Sequence, residues 1–503
     1  MEQIRRPRRA RRRAMSEAAP ADLGLHAGPT PPYAPLPVAT AHQLIDAALS
    51  LMQTVGVAFD PDSEAPRLLR AAGCGVSADG TARFEPALVR RALDLTRKST
   101  RLWDREAERH LDLDDRHTWF LPGMTCIKVY DEASGEPRPS TAEDLARVTR
   151  VADSLPNIDA VCIACKDVSG SDPRSEIDEF SIMAQNTRKP LEYLCEDAAS
   201  LAAVIDMAAA IRGGREALEE KPYFLQIITP LPLNYHRPHI EQILLSVRAG
   251  VPVSVGTLPI GGASTPITTA GSIVNSLATD FAAMVLAQVA RPGSFCIGSS
   301  DVCFMEPATG GIGNFAQTSL ADMVMCQVRR VLGLPSFTGA VGYSSARRFN
   351  ADAVAEITLG LMQAFYTRPA TLDYLGSVDQ GLTFSLHALL LCDDVADLLR
   401  ALWRGISVDA ESLALDVAGE VGPRGNYLAH LHTVSHCRER LWQSRYFGPN
   451  LPLSTDGRAD RELLERIEED LRRRLEHRPA ALAPQILERM QDIRARVGAA
   501  SSR

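Results

Sequence analysis

The stretch "YFLQIITPLPLNYHRPHIEQILLSVRAGVPVSVGT", residues 223–257, decides the fold. It opens on an apolar run at 223–229, passes through a proline-rich loop, and continues with a helical segment at 239–249. A second apolar run, 252–257, follows at once. Runs that are apolar on successive residues cannot present one face to water, and buried strands of that kind belong to parallel sheets. A helix between two of them is the crossover that parallel pairing requires.

The same unit recurs on both sides. Apolar runs stand at "DAVCIAC" (159–165), "PLEYL" (190–194), "SFCIGS" (294–299), "SFTGAV" (336–341) and "ATLDYLG" (370–376). Helical segments fall between them at 175–186, 198–211, 270–290 and 318–332. Seven strands alternating with helices predict an α/β fold with a parallel sheet. An eighth strand at "HALLLCDD" (387–394) would close a (β/α)8 TIM-type barrel. An open doubly wound sheet is the rival architecture, but no G-x-G-x-x-G follows the first strand to favour it.

The flanks complete the organisation. Residues 1–37, rich in Arg, Ala and Pro, read as a disordered arm. Residues 38–140 form an N-terminal cap region, with helices expected in "TAHQLIDAALSLMQTVGVAF" and at 65–72 and 86–98, then strand-and-turn character from 102 to 130. The barrel is placed at 141–400, opening on a capping box made by Thr141 and Asp144. Residues 401–503 form a helical extension, in which Leu464, Ile467, Leu471 and Leu475 make a stripe suited to packing or to an oligomer contact.

Composition bounds the function. Apolar residues make up 45% and charged residues 23% of 503, the balance of a globular protein. The net charge of −8 hides +6 in residues 1–13, which leaves about −14 for the body and excludes broad nucleic-acid binding. No apolar run of about 18 residues announces a membrane span. The arginine run lacks an apolar segment after it, so it is no secretory signal, and Met15 is an alternative start. Ten cysteines lack a framework spacing. The Cys162 and Cys165 pair reads as two thiols on a buried strand, and a reducing cytoplasm is expected.

In such a barrel the loops leaving the C-terminal strand ends build the active site. They are "TPLPLNYHRP" (229–238), "GTLPIGGASTP" (256–266), "SSDVCFMEPATGGIGNF" (299–315), "VGYSSARRFN" (341–350) and "GSVDQGLTFS" (376–385). Each contributes rings singly: Tyr235, Phe304, Tyr343 and Phe384. Taken alone, each ring reads as packing; together they suit a trimethylammonium group, a cation without N–H donors that ring faces attract. The glycine-rich loop 261–266 reads as a tight turn, an anion site at a helix N-terminus, or room for a large flat macrocycle. His430, His432 and His436 lack the H-E-x-x-H pattern and read as helix-end packing, so no metal site is expected. No nucleophile elbow is present, and no catalytic residue is assigned.

The segments "RPSTAEDLARVTRVADSLPNI", "DPRSEIDEFSIMAQNTRKPL", "AGVPVSVGTLPIGGASTPITTAGS", "LPSFTGAVGYSSARRFNADAVAE" and "GNYLAHLHTVSHCRERLW" resemble, in order and spacing, the trimethylamine methyltransferase family. The resemblance spans roughly 38–450 and is closer to the members without pyrrolysine, of which glycine betaine:corrinoid methyltransferase is the type. It implies a (β/α)8 barrel binding a small methylated amine, with a separate cognate corrinoid protein docking over the mouth and no cofactor held tightly by the chain itself. Pyrrolysine is absent here. A quaternary amine such as a betaine is therefore the expected substrate, because its nitrogen already carries the charge and leaves as a neutral amine.

On that reading Tyr235, Phe304 and Tyr343 face the ammonium group, and Asp301 or Glu306 compensates charge. His236, Arg347 or Arg348 holds a betaine carboxylate, and His387 is a further candidate. Gly261, Gly262, Ser264 and Thr265 form the loop facing the corrinoid. A homo-oligomer is expected, without nucleic acid or membrane. A barrel lyase using a Schiff-base lysine is disfavoured by the scarcity of Lys after residue 221. A betaine-binding or sensing protein without catalysis is the other alternative.

Overall fold

Eight short strands alternate with helices through the middle of the chain. In this computed structural model the described residues are 24–25, 31–131, 134–169, 175–313, 316–339, 342–437, 440–448 and 463–501. The arginine run and most of the arm 1–37 lie outside them. The strands are β1 Trp119–Pro122, β2 Val161–Cys162, β3 Leu191–Leu194 and β4 Phe224–Ile228, then β5 Val253–Val255, β6 Cys296–Gly298, β7 Phe337–Thr338 and β8 Thr371–Leu375. Each of the seven apolar runs carries one of them, β2 to β8. Strands β2 to β6 pair in chain order into one parallel sheet, and β7, β8 and β1 pair into a second.

Helices α1 Val38–Thr54 and α2 Pro86–Leu95 belong to the cap. After β1 come α3 Ala142–Ser154, α4 Ser175–Asn186, α5 Ala198–Arg212, α6 Arg237–Arg248 and α7 Thr269–Ala290. Then follow α8 Ala316–Val331, α9 Ala351–Thr367 and α10 Leu386–Trp403. Helix α3 starts where the capping box is written: Thr141 Oγ1 accepts from the Asp144 amide at 3.3 Å, and Asp144 Oδ2 accepts from the Thr141 amide at 3.0 Å.

One sequence expectation needs correction. Residues 387–394 are no strand but the first turns of α10, buried on every side from Leu386 to Val395. A continuous apolar run cannot be told from a buried strand by its pattern, which is why it misled. The place beside β8 is taken by β1, from the segment assigned to the cap, so cap and sheet share a ladder. Helix α7 is long and apolar enough to cross a membrane by length and composition alone. Its sides are instead enclosed by α1, α2 and α6.

The ladder is interrupted between β1 and β2 and between β6 and β7, so strand pairing gives two arcs and does not establish a closed barrel. Each interruption is stitched by a buried arginine. At the first, the Asp159 amide donates to Phe120 O at 2.8 Å, and Arg400 grips both Asp159 oxygens at 2.7 Å while lying over the Phe120 ring. At the second, Arg329 donates to Ser300 O at 2.7 Å, Phe337 O at 2.9 Å and Asp280 Oδ2 at 3.2 Å. Buried charges are tolerated only when paired and hydrogen-bonded, and these are.

Beyond α10, the stripe helix Leu463–Arg474 buries Ile467 and Leu471 against α10 and α3. That face is used internally and is not free for an oligomer contact.

Candidate functional site

Four acidic side chains gather toward the C-terminal ends of the strands. Glu192 on β3 and Asp373 on β8 are buried strand residues, Asp322 is buried on α8, and Asp301 follows β6. Glu192 and Asp373 are hydrogen-bonded to each other, which requires one of them to keep a proton. Burial, then the neighbouring Asp373 carboxylate, pushes Glu192 well above its ordinary range. Burial and the Asp301 charge raise Asp373 to about 7, against the pull of its bond to Glu192. Below neutrality the pair therefore keeps a shared proton. Asp322 is likewise raised, by burial and by Asp301.

These carboxyls are undersupplied with partners. Glu192 Oε2 and Asp373 Oδ1 are buried without a hydrogen bond among the described residues. Orphaned buried polar atoms cost about 1–3 kcal/mol each, so such a group invites a ligand. Among the described residues no group of three or more His, Cys, Asp or Glu side chains is placed to hold a metal ion. The arrangement suits an organic cation.

Aromatic rings border the cluster. Tyr343 and Tyr374 approach with centroids 6.2 Å apart, and the Tyr343 hydroxyl is hydrogen-bonded to the buried Cys303 thiol. Tyr374 lies within the field of both Asp301 and Asp373. Its backbone is left-handed at φ +61°, as are Asp379 at +54° and Gln380 at +57° in the loop that follows. Each such non-glycine residue costs of order 1–3 kcal/mol, and strain of this kind collects at functional sites. The loop is held open by its neighbours: Asp379 N donates to Ala346 O and Gln380 N to Ser344 O. Gly339 is obligatory beside it, because a Cβ there would stand 2.3 Å from the Tyr374 ring.

The sequence-derived candidates divide. Asp301 belongs to the cluster, accepting from Gly339 N at 2.9 Å and Thr338 Oγ1 at 3.1 Å. Tyr343 borders it. Phe304 is buried on the short strand Cys303–Met305, with its ring over Gly261. Tyr235 does not join them: it stacks on Phe59 at 5.1 Å, and its hydroxyl donates to Thr279 O at 2.8 Å. It is a core residue fixing the cap to α7. His236 is exposed at the start of α6, with His239 as its ring neighbour. Glu306 closes its own turn by accepting from Ala308 N. Arg347 is exposed, and Arg348 forms an exposed ion pair with Glu136. His387 is buried in the first turn of α10 near Tyr130 and Phe349.

The glycine-rich loop is a self-contained turn. Gly262 N donates to Thr265 O, Ile260 N to Ser264 Oγ, and Thr265 Oγ1 pairs with Ser272 Oγ at 2.8 Å. Gly261 is needed because a Cβ would meet the Phe304 ring at 2.6 Å. Gly262 and Ser264 are exposed at the rim. Cys162 and Cys165 are both buried, as their setting on an apolar strand implied.

Sequence reasoning missed Glu192, Asp373, Asp322 and Tyr374. A signal for two of them was present: "PLEYL" and "ATLDYLG" each carry one acid inside an apolar strand. Burying such a charge is costly unless it is used.

The family model described as trimethylamine methyltransferase (MTTB) matches residues 4–499. A trimethylamine methyltransferase MttB of Desulfitobacterium hafniense (strain DSM 10664 / DCB-2) is 28% identical over 358 residues, covering 70% of this chain and 71% of that protein. The glycine betaine methyltransferase of Desulfitobacterium hafniense (strain Y51) is 25% identical over 342 residues, covering 67% and 71%. The crystal structure of the hydroxylamine MtmB complex aligns over 93% of this chain and 88% of its own, with a TM-score of 0.50 at 10% identity, a likeness of fold alone. With a match that runs almost from end to end, the chain belongs to the trimethylamine methyltransferase family.

Proposed function

We propose that this chain takes a methyl group from a quaternary ammonium compound, glycine betaine or a related betaine, and passes it to the Co(I) of a separate corrinoid protein. The single observation that carries the substrate class is the buried Glu192–Asp373 pair with unpartnered oxygens, flanked by Asp301, Tyr343 and Tyr374. Carboxylates and ring faces together recognise a cation that offers no N–H. Family membership supports methyl transfer, and a relative named for glycine betaine supports the quaternary class.

The two arcs are best read as parts of one eight-stranded (β/α)8 cylinder. In support, the break points join strands consecutive in the chain, β1 to β2 and β6 to β7, and β8 already pairs with β1. The acidic cluster then lies inside, near the mouth. Displacement at a methyl carbon of a quaternary ammonium group breaks the C–N bond with both electrons staying on nitrogen, so the leaving amine needs no proton. The residues' task is to orient and desolvate the cation. When docked, the partner's corrinoid would supply the nucleophilic electron pair.

A docking rim fits this reading. Ile127, Val168, Leu231, Leu258, Ile267 and Leu382, on loops that follow β1, β2, β4, β5 and β8, are large apolar residues left exposed. Gly262 and Ser264 lie among them and leave space for a flat ring system. The test is spectroscopic. The purified chain is mixed with a reduced corrinoid carrier and a panel of betaines, and the cobalt spectrum is followed. Methyl-Co(III) should form with a quaternary amine and not with trimethylamine. Substrate binding without any cobalt change would favour the sensing alternative and reject methyl transfer.

A further inference from the structure

A betaine has two charged ends, and the acidic cluster can hold only one of them. Glu192, Asp373 and Asp301 repel a carboxylate, so a ligand seated by its ammonium group must turn its carboxylate away from them, toward the open strand ends. An arginine close by would be drawn to the acids and take the cation's place. The basic candidates stand elsewhere: Arg348 is held by Glu136, and His236 lies beside His239 on α6. A neutral hydrogen-bond donor escapes this conflict, because it reads a carboxylate without competing for the cation site.

The loop after β8 presents such a donor. Asp379, Gln380 and Gly381 are left-handed in succession, at φ +54°, +57° and +85°. Glycine adopts that conformation freely, whereas a glutamine there costs stability. The turn is closed by Leu382 N donating to Asp379 O at 3.1 Å, and its shape carries the Gln380 side chain across to the hairpin after β6. A Cβ on Gly311 of that hairpin would stand 3.5 Å from Gln380 Nε2 and 3.6 Å from Oε1. Gly311 is engaged elsewhere: its carbonyl accepts from Glu306 N at 2.8 Å, and its amide donates to Thr309 Oγ1 at 3.2 Å.

The Gln380 carboxamide is thus exposed and makes no hydrogen bond among the described residues. Its neighbour Gly381 lies along the Tyr374 ring, from which a Cβ would be 3.8 Å away. That ring in turn lies within the field of Asp301 and Asp373. Carboxamide, ring and acids therefore adjoin one another in that order. An exposed glutamine on a relaxed turn would need no explanation; one kept where glycine fits better does.

We propose that Gln380 is a specificity-determining residue of the substrate site, its Nε2 group donating to the carboxylate of a betaine whose ammonium group lies among the acids. The assignment rests on the quaternary-amine reading of that site and adds the feature that distinguishes a betaine from a simple tetraalkylammonium ion. A hydrogen bond to a charged acceptor contributes about tenfold to a hundredfold in affinity.

Calorimetric titration of the full chain with glycine betaine and with tetramethylammonium tests it. Gln380→Gly accepts the left-handed backbone without strain. In that variant the ratio of glycine betaine affinity to tetramethylammonium affinity should fall at least tenfold from the wild-type ratio. Gln380→Glu sets a like charge against the carboxylate and should lower the ratio further; it decides alone if Gln380→Gly fails to fold. A ratio unchanged in either folded variant, or a wild type that binds tetramethylammonium and not glycine betaine, overturns the assignment and leaves the cation site standing. A wild type that binds neither compound removes the quaternary-amine reading and the role of Gln380 together.

Discussion

Replacing Asp373 with Asn should weaken cation binding and yet stabilise the empty protein. In the wild type Asp373 ionises at about 7 and Glu192 well above its usual range, so the pair gains its negative charge near neutrality. A unit charge about 5 Å from a cation at an effective dielectric of about 20 contributes roughly 3 kcal/mol. Its loss should raise Kd about a hundredfold or somewhat more. Between pH 6 and 8 the ionised fraction of a group at about 7 climbs from roughly a tenth to nine-tenths, so wild-type affinity should rise about tenfold over that window.

Calorimetric titration with tetramethylammonium, which has no carboxylate to confuse the count, reads both effects. In Asp373→Asn the affinity should be weak and flat in pH. The stability sign is opposite. A carboxyl whose pKa is raised from 3.8 to about 7 on folding favours the native state fully below 3.8, and loses that contribution as pH climbs through 7. Above 7 the empty site carries a penalty of about 4 kcal/mol. Asp373→Asn should therefore gain melting temperature relative to wild type on going from pH 5 to pH 8 in the absence of ligand. An unchanged Kd, or a wild-type affinity that ignores pH, refutes the reasoning.

Three further outcomes are expected. Arg329→Met or Arg400→Met strands a buried aspartate at one seam and should cost about 3–5 kcal/mol in thermal or denaturant unfolding, with Asp280→Asn recovering part of the loss in the first case. Gly339→Ala must displace the Tyr374 ring and should weaken tetramethylammonium binding at least tenfold while the far-ultraviolet spectrum is unchanged. Tyr235→Phe should lose about 1 kcal/mol of stability with its bond to Thr279 O and leave Kd unaltered, since it packs the cap and not the site.

The strands themselves were legible because hydrophobic pattern is a local property. Residues 223–257 read as strand, helix and strand, and β4, α6 and β5 occupy them. The capping box at Thr141 was legible for the same reason. The site was legible only in part. Looking at loops beyond strand ends gathered Asp301 and Tyr343, which lie at the acidic cluster, together with Tyr235, which packs on Phe59, and Arg348, which pairs with Glu136. Glu192 and Asp373 were passed over although each interrupts an apolar strand.

Spacing along the chain thus determined that strands and helices alternate, where most of them lie, and which family the chain resembles. Only the folded arrangement decided that β1 and not residues 387–394 stands beside β8, and that two arginines stitch the interrupted ladder. It alone brought Glu192 against Asp373. Pairing across a sheet is set by side chains far apart in the sequence, and a raised carboxyl pKa arises from a shared dry environment that no single segment contains.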